Sequence, residues 1–161
     1  MKKTVSIAAS ILFLAAAFQT VQAQQNSIGV GAMTGTPNGL SIKGWIGDDI
    51  AIDGALSFTL GDNSSSLYLH SDVLIHDDLS DNGFDVEEGT LNFYYGAGLR
   101  LQWLDVVDEL YTGIRGPAGI SYMFEQAPGE LFFELVPTID LNPTFRFSFG
   151  GAVGARYYLG D

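Results

Sequence analysis

The sequence predicts an all-β fold: eight antiparallel strands closed into an up-and-down transmembrane β-barrel. Three observations predict it. Apolar and polar residues alternate with period two in segment after segment, between stretches rich in Gly, Pro, Asn, Asp and Ser. The large apolar side chains of those segments share one face, and the small, polar and basic ones share the other. After an N-terminal apolar run, no later segment is long enough to cross a bilayer as a helix, although 47% of the residues are hydrophobic.

The N-terminus reads as an export signal. Lys2 and Lys3 precede an apolar run over 5–18, and Val21-Gln22-Ala23 places small residues at the two positions that a signal peptidase inspects. The run falls short of the ~20 residues of a spanning helix, which argues against an uncleaved anchor. Residues 1–23 are therefore expected to be a cleaved signal peptide, and 24–161 a single barrel domain. The chain has no cysteine, so an exported domain of this kind must rest on hydrogen bonding and burial rather than disulfides.

The eight strands are read at about 26–34, 39–46, 50–60, 66–76, 91–103, 111–125, 130–141 and 145–159. Turn chemistry separates them: Gly35-Thr36-Pro37-Asn38, Gly47-Asp48-Asp49, Gly61-Asp62-Asn63-Ser64-Ser65, Gln126-Ala127-Pro128-Gly129 and Asn142-Pro143-Thr144. The longest connection covers 77–90 and is rich in acid; 104–110 has the makings of a helical turn. Most of the strands reach the 9–11 residues or so needed to cross a membrane obliquely, and the first two are marginal.

Alternation assigns the faces. In the third strand Ile50, Ile52, Leu56, Phe58 and Leu60 oppose Ala51, Asp53, Ala55, Ser57 and Thr59; in the fifth, Leu91, Phe93, Tyr95, Leu99, Leu101 and Trp103 oppose Asn92, Tyr94, Gly96, Gly98, Arg100 and Gln102. A soluble lipid-binding barrel, the rival fold, would put the large apolar face inside. A membrane barrel turns it to lipid and fills a narrow interior with the small polar face. Trp103, Phe124, Phe145 and Tyr157 lie near strand ends on the apolar face, where interfacial aromatics belong.

The basic residues are the most telling. Beyond the signal segment there are five, Lys43, Arg100, Arg115, Arg146 and Arg156, and all fall on the small polar face with Asp53, Asp72, Glu134 and Asp140. Charges confined to a lumen must pair, because an unpaired buried charge is costly. A turn centred on Asp48 predicts a Lys43–Asp53 pair. A turn centred between Ala127 and Pro128 places Arg115 opposite Asp140, and the next turn brings Arg146 beside Asp140, which predicts an Arg115–Asp140–Arg146 triad. The remaining acids are read as solvating connections and strand ends; a weaker reading has Asp77-Asp78 or Glu87-Glu88 holding divalent cations.

Nineteen acidic against seven basic residues exclude nucleic acid as a partner. The two histidines, His70 and His76, both point inward on the fourth strand, about 20 Å apart, too far to share an ion, so no metal and no cofactor are expected. Ser71 lies between His70 and Asp72 but on the opposite face, so the three do not form a catalytic triad and no catalytic residues are assigned. Pro117 and Pro137 interrupt the sixth and seventh strands, where proline removes a ladder hydrogen bond. They read as a bend shaping the barrel, or as a seam admitting a lipid tail.

Pro37-Asn38-Gly39-Leu40-Ser41-Ile42-Lys43-Gly44-Trp45, Gly113-Ile114-Arg115-Gly116-Pro117-Ala118-Gly119-Ile120-Ser121-Tyr122, Phe133-Glu134-Leu135-Val136-Pro137 and Gly154-Ala155-Arg156-Tyr157-Tyr158 resemble motifs of a family of small bacterial outer-membrane β-barrels, broadly similar to OmpX and the barrel of OmpA. The resemblance implies the bacterial outer membrane as location, outer-membrane lipid as surroundings and the barrel-assembly machinery as a partner during biogenesis. It implies no activity, since that family has no settled function, and it leaves any protein partner open. Two features depart from such barrels: the end Tyr158-Leu159-Gly160-Asp161 lacks a final aromatic, and the long 77–90 connection falls on the side of the termini. A structural or surface-interaction role is expected first, a narrow channel for ions or small solutes second, and a lipid-modifying enzyme third.

Overall fold

The computed structural model describes residues 28–61, 64–79, 83, 86, 88–104 and 108–160. The signal segment at 1–23 and residues 105–107 of the anticipated helical turn lie outside these residues, while 104, 109 and 110, expected in that turn, belong to strands. Nine strands follow in order: β1 (Ile28–Gly35), β2 (Gly39–Trp45), β3 (Ile50–Gly61), β4 (Ser64–Asp78), β5 (Gly89–Leu104), β6 (Glu109–Arg115), β7 (Ala118–Phe124), β8 (Gly129–Asn142) and β9 (Arg146–Leu159). All pairings are antiparallel between sequence neighbours, apart from β1 with β9, which closes the ring, and the two-part sixth place. Closure satisfies the backbone groups that an open sheet edge would leave bare.

The ring has eight places, because β6 and β7 share one. Both pair with β5 on one side and β8 on the other. The expected sixth strand over 111–125 is thus split at Gly116-Pro117, and the cause is local. Arg115 faces Thr138 and Ala118 faces Leu135, so the register runs through the break unshifted and sets Gly116 against Pro137. Gly116 donates to the Pro137 carbonyl at 3.0 Å and Gly96 donates to that of Pro117 at 2.9 Å. The return bonds are impossible, since neither proline has an N–H.

One register differs from expectation by two residues. Met123 faces Glu130, which centres the β7–β8 turn between Gln126 and Ala127. Asp140 therefore faces Gly113, and Arg115 faces Thr138. A two-residue slip preserves which face each side chain takes and changes its neighbours. A bulge at Thr112/Gly113 further loosens the β6–β8 ladder near its end.

Burial follows the alternation. Along β8, Glu130, Phe132, Glu134, Val136, Thr138 and Asp140 are buried, while Leu131, Phe133, Leu135 and Ile139 are exposed. Elsewhere Leu56, Phe58, Leu99, Phe147 and Phe149 stand on the outside. The charged residues are inside, around a small apolar cluster of Met33, Leu74, Tyr94 and Phe132, and the exterior is apolar, the inverse of a water-soluble barrel.

The start of β1 and the end of β9 lie at one rim, with the ends of β2, β4 and β7; the ends of β1, β3, β5 and β8 lie at the opposite rim. The long connection is thus on the terminal rim.

Candidate functional site: the charged lumen

The lumen is crossed by ion pairs between strands that are not neighbours in the ring. Lys43 on β2 reaches Glu130 on β8 at 2.7 Å. The second oxygen of Glu130 accepts from Arg156 at 3.0 Å and from the Tyr158 hydroxyl at 2.9 Å. Arg156 on β9 also donates through Nε to Ser41 Oγ at 2.9 Å and pairs with Asp53 on β3. Its guanidinium lies 3.9 Å from the centre of the Phe132 ring, a cation–π contact that covers its remaining face.

From Asp53 the chain of contacts continues. His70 Nε2 lies 3.4 Å from Asp53 Oδ1 and 3.7 Å from Asp72 Oδ2. Asp72 pairs with Arg115 at 3.0 Å, and Arg115 pairs with Glu134 at 3.3 Å while donating to the Tyr68 hydroxyl at 2.8 Å. The Tyr94 hydroxyl donates to the other oxygen of Glu134 at 3.4 Å. Toward the opposite rim Asp140, fully buried, is gripped by Arg100 (Nε to Oδ1 2.8 Å) and by Arg146 at 3.1 Å. Arg146 is half-exposed and lies over the ring of Tyr111, so it caps the network rather than filling the lumen.

The structure brings Lys43, Asp53, Asp72, Arg100, Arg115, Glu134, Asp140, Arg146 and Arg156 into two clusters, with partners that the hairpins alone do not specify. Lys43 and Asp53 do face each other across β2–β3, but each is ion-paired elsewhere, with Glu130 and Arg156. Of the expected triad, Asp140–Arg146 forms; the place of Arg115 is taken by Arg100, a consequence of the two-residue register difference. Glu130, which its place in the sequence puts among the solvating acids at strand ends, is instead buried at the centre of one cluster. Its signal was available: it stands at even spacing before Glu134 and Asp140 on the same strand. Among the described residues the lumen then holds five carboxylates against four buried cations, and Arg146 at the rim makes the fifth.

Inward glycines make room for this network. A Cβ on Gly98 would stand 1.9 Å from Asp72 Oδ1, and one on Gly119 would stand 2.7 Å from the Tyr94 hydroxyl. His70 and His76 are both buried.

On the outside, Phe124, Phe145 and Tyr157 are exposed and Trp103 is half-buried. Phe124 and Tyr157 lie at the terminal rim, Trp103 and Phe145 at the opposite one. Pro117 and Pro137 break the ladders on the two sides of the split sixth place: the missing N–H of Pro117 faces Gly96 on β5, and that of Pro137 faces Gly116.

A closed antiparallel barrel with an apolar exterior and a paired, charged interior defines the small outer-membrane type of β-barrel. The crystal structure of the N-terminal β-barrel domain of Pseudomonas aeruginosa OprF is similar to this chain with a TM-score of 0.58 and 15% identity, over 84% of this chain and 98% of that one. The crystal structure of Ail, the attachment invasion locus protein of Yersinia pestis, aligns with a TM-score of 0.41 and 14% identity, over 83% and 97% of the two chains. No family model and no curated protein sequence matches the chain. The likeness to the OprF domain is one of fold.

Proposed function

We propose that this chain is an integral β-barrel of the bacterial outer membrane with a structural or surface-interaction role, its lumen closed by the charge-balanced network. The observation that carries the reading is the pairing of Lys43 with Glu130, Arg156 with Asp53, and Arg115 with Asp72 between non-adjacent strands. Such bridges brace the wall from within and occupy the interior of an eight-place barrel, which side chains about fill. Outer-membrane lipid then packs against Leu56, Leu99, Phe133 and Phe147. The barrel-assembly machinery serves as partner during insertion.

The test is a gel of the membrane fraction run with and without boiling. A heat-dependent mobility shift in the outer-membrane fraction supports a closed, lipid-embedded barrel. Recovery in the soluble periplasmic extract with no shift overturns it.

A second reading, a narrow conduit for ions or small solutes, is favoured by the unbroken run of polar contacts from Lys43 to Tyr68. Single-channel steps in planar bilayers from the folded barrel support it; a folded, silent barrel removes it and leaves the structural role.

A further inference from the structure

Over the whole lumen the formal charges balance, but cluster by cluster they do not. Asp140 takes two cations, Arg100 and Arg146. The other four carboxylates, Asp53, Asp72, Glu130 and Glu134, share three: Lys43, Arg115 and Arg156. Beyond Lys3 the chain has no other lysine or arginine, so no side chain supplies the fourth. Arg100 faces His70 across β4–β5, but its guanidinium is committed to both oxygens of Asp140. The inner cluster is therefore one positive charge short. An uncompensated buried charge is costly, and binding a proton or a cation removes it.

The hydrogen bonds place the deficit. Glu130 accepts from Lys43, Arg156 and Tyr158, Asp53 accepts from Arg156, and Glu134 accepts from Arg115 and Tyr94. Asp72, 2% exposed, accepts none among the described residues. Arg115 Nε stands 3.0 Å from it, yet that nitrogen has no hydrogen-bond partner either, so the contact is one of charge alone. Asp72 also faces Asp53 directly across β3–β4, and directly opposed residues have Cβ atoms roughly 5 Å apart. An oxygen of each and a ring nitrogen of His70 lie within 4.8 Å of one another. Two carboxylates at such a distance disfavour joint ionisation. Lys43, across β2–β3 from Asp53, is taken by Glu130, and the Tyr68 hydroxyl beside the group accepts from Arg115.

We propose that the Asp53–His70–Asp72 group is a proton site, which holds one proton at neutral pH with Asp72 as its seat. A single positive charge closes the count. A divalent metal ion at the same three groups would overshoot it, against the guanidiniums of Arg115 and Arg156. His70 is the poorer seat, because its Nδ1 has no partner and an imidazolium would strand an N–H there. Protonation instead gives Asp72 a donor to aim at the oxygen of Asp53 or the ring of His70. The barrel takes this proton up as it closes, and it is braced more firmly in mild acid than in mild alkali. The inference rests on the closed lumen, not on where the barrel resides.

The experiment is urea unfolding of the full, folded barrel in detergent between about pH 7 and about pH 9, where free histidine is already neutral. An unfolded aspartate gives up its proton near about pH 4, so unfolding in this range releases the one held at Asp72. The unfolding constant should rise by up to about tenfold per pH unit, until the folded barrel loses the proton as well. Asp72→Asn removes one negative charge, keeps the shape, and is expected to flatten that rise. Infrared spectra give a readout that needs no variant. The folded barrel at neutral pH should show the carbonyl stretch of a neutral carboxylic acid, shifted by isotope-labelled aspartate and not by isotope-labelled glutamate. Should Asp72→Asn fail to give the heat-shifted folded form, the infrared band decides. A flat wild-type profile, an unchanged rise in the folded variant, or no protonated-aspartate band overturns the proposal. So does a rise that a chelator abolishes, which would put a metal ion in the group.

Discussion

Lys43 and Glu130 are 87 positions apart in sequence and meet at 2.7 Å across the lumen, both buried. They join β2 to β8, three places away in the ring, so the contact exists only once the barrel has closed. Removing one partner leaves the other charged and buried, at a cost of about 3–5 kcal/mol. Glu130→Gln is therefore expected to destabilise by that amount, since it strands Lys43 and removes one of two carboxylates from Arg156. Lys43→Met is expected to cost less, because Arg156 and Tyr158 still serve Glu130. The double variant should be less destabilised than the sum of the two singles. Urea unfolding in lipid vesicles, taken through a double-mutant cycle, checks this; additive losses would mean the pair does not couple.

Asp140 provides a contrast within one carboxylate. Arg100 and Arg146 both bind it, but the side chain of Arg100 is 9% exposed and that of Arg146 is 53% exposed. Water screens the second pair, and exposed pairs contribute about 1 kcal/mol or less. Arg146→Ala is expected to change stability within that limit, and raised salt should erase the difference. Arg100→Ala leaves a fully buried carboxylate dependent on a rim cation and is expected to cost several times more. Equal losses in the two variants under the same unfolding assay would contradict this ranking.

The split sixth place yields a prediction about individual amides. The carbonyls of Gly96 and Gly116 face proline nitrogens at positions 117 and 137, while the reciprocal bonds are intact at 2.9 and 3.0 Å. Pro117→Ala and Pro137→Ala restore N–H groups aimed at those carbonyls without altering the register, which already runs unbroken from Arg115 to Ala118. Hydrogen exchange followed by NMR should find the introduced amides at 117 and 137 as slow as their ladder neighbours. Fast exchange there would show that the strands diverge at this point, as a seam for lipid entry requires.

What the sequence discloses and what it withholds divide along one physical line. Facing is local: period two assigns Ile50 and Leu56 outward and Asp53 inward without knowledge of any other strand. The short β2–β3 turn likewise fixes Lys43 opposite Asp53. Partnership across the lumen is not local. It depends on ring closure and on the stagger between strands, so neither Arg156–Asp53 nor Arg115–Asp72 follows from any one hairpin. The β7–β8 turn shows how little suffices: moving its centre by one residue replaces Asp140 by Thr138 opposite Arg115. Glu130 is hidden in the sequence for a related reason, since its place at the start of β8 resembles a solvated end until Lys43 and Arg156 arrive from other strands.

The medium outside the barrel is open to a direct measurement at Leu99. It stands in the body of β5, is 65% exposed, and is flanked by Ser71 on β4 and Ile114 on β6. In water, an exposed leucine changed to arginine alters stability by about 0.5 kcal/mol or less. In a bilayer the same change brings a guanidinium near the hydrocarbon midplane, at a cost of roughly 2–4 kcal/mol that falls toward the interfaces. Leu99→Arg is therefore expected to destabilise the vesicle-embedded barrel by the larger amount, while Phe145→Arg, at the rim and 73% exposed, should cost much less. Reversible urea unfolding of both variants reads the difference. A uniform, near-zero effect would place water, not lipid, against the apolar face, and with it the whole assignment of inside and outside.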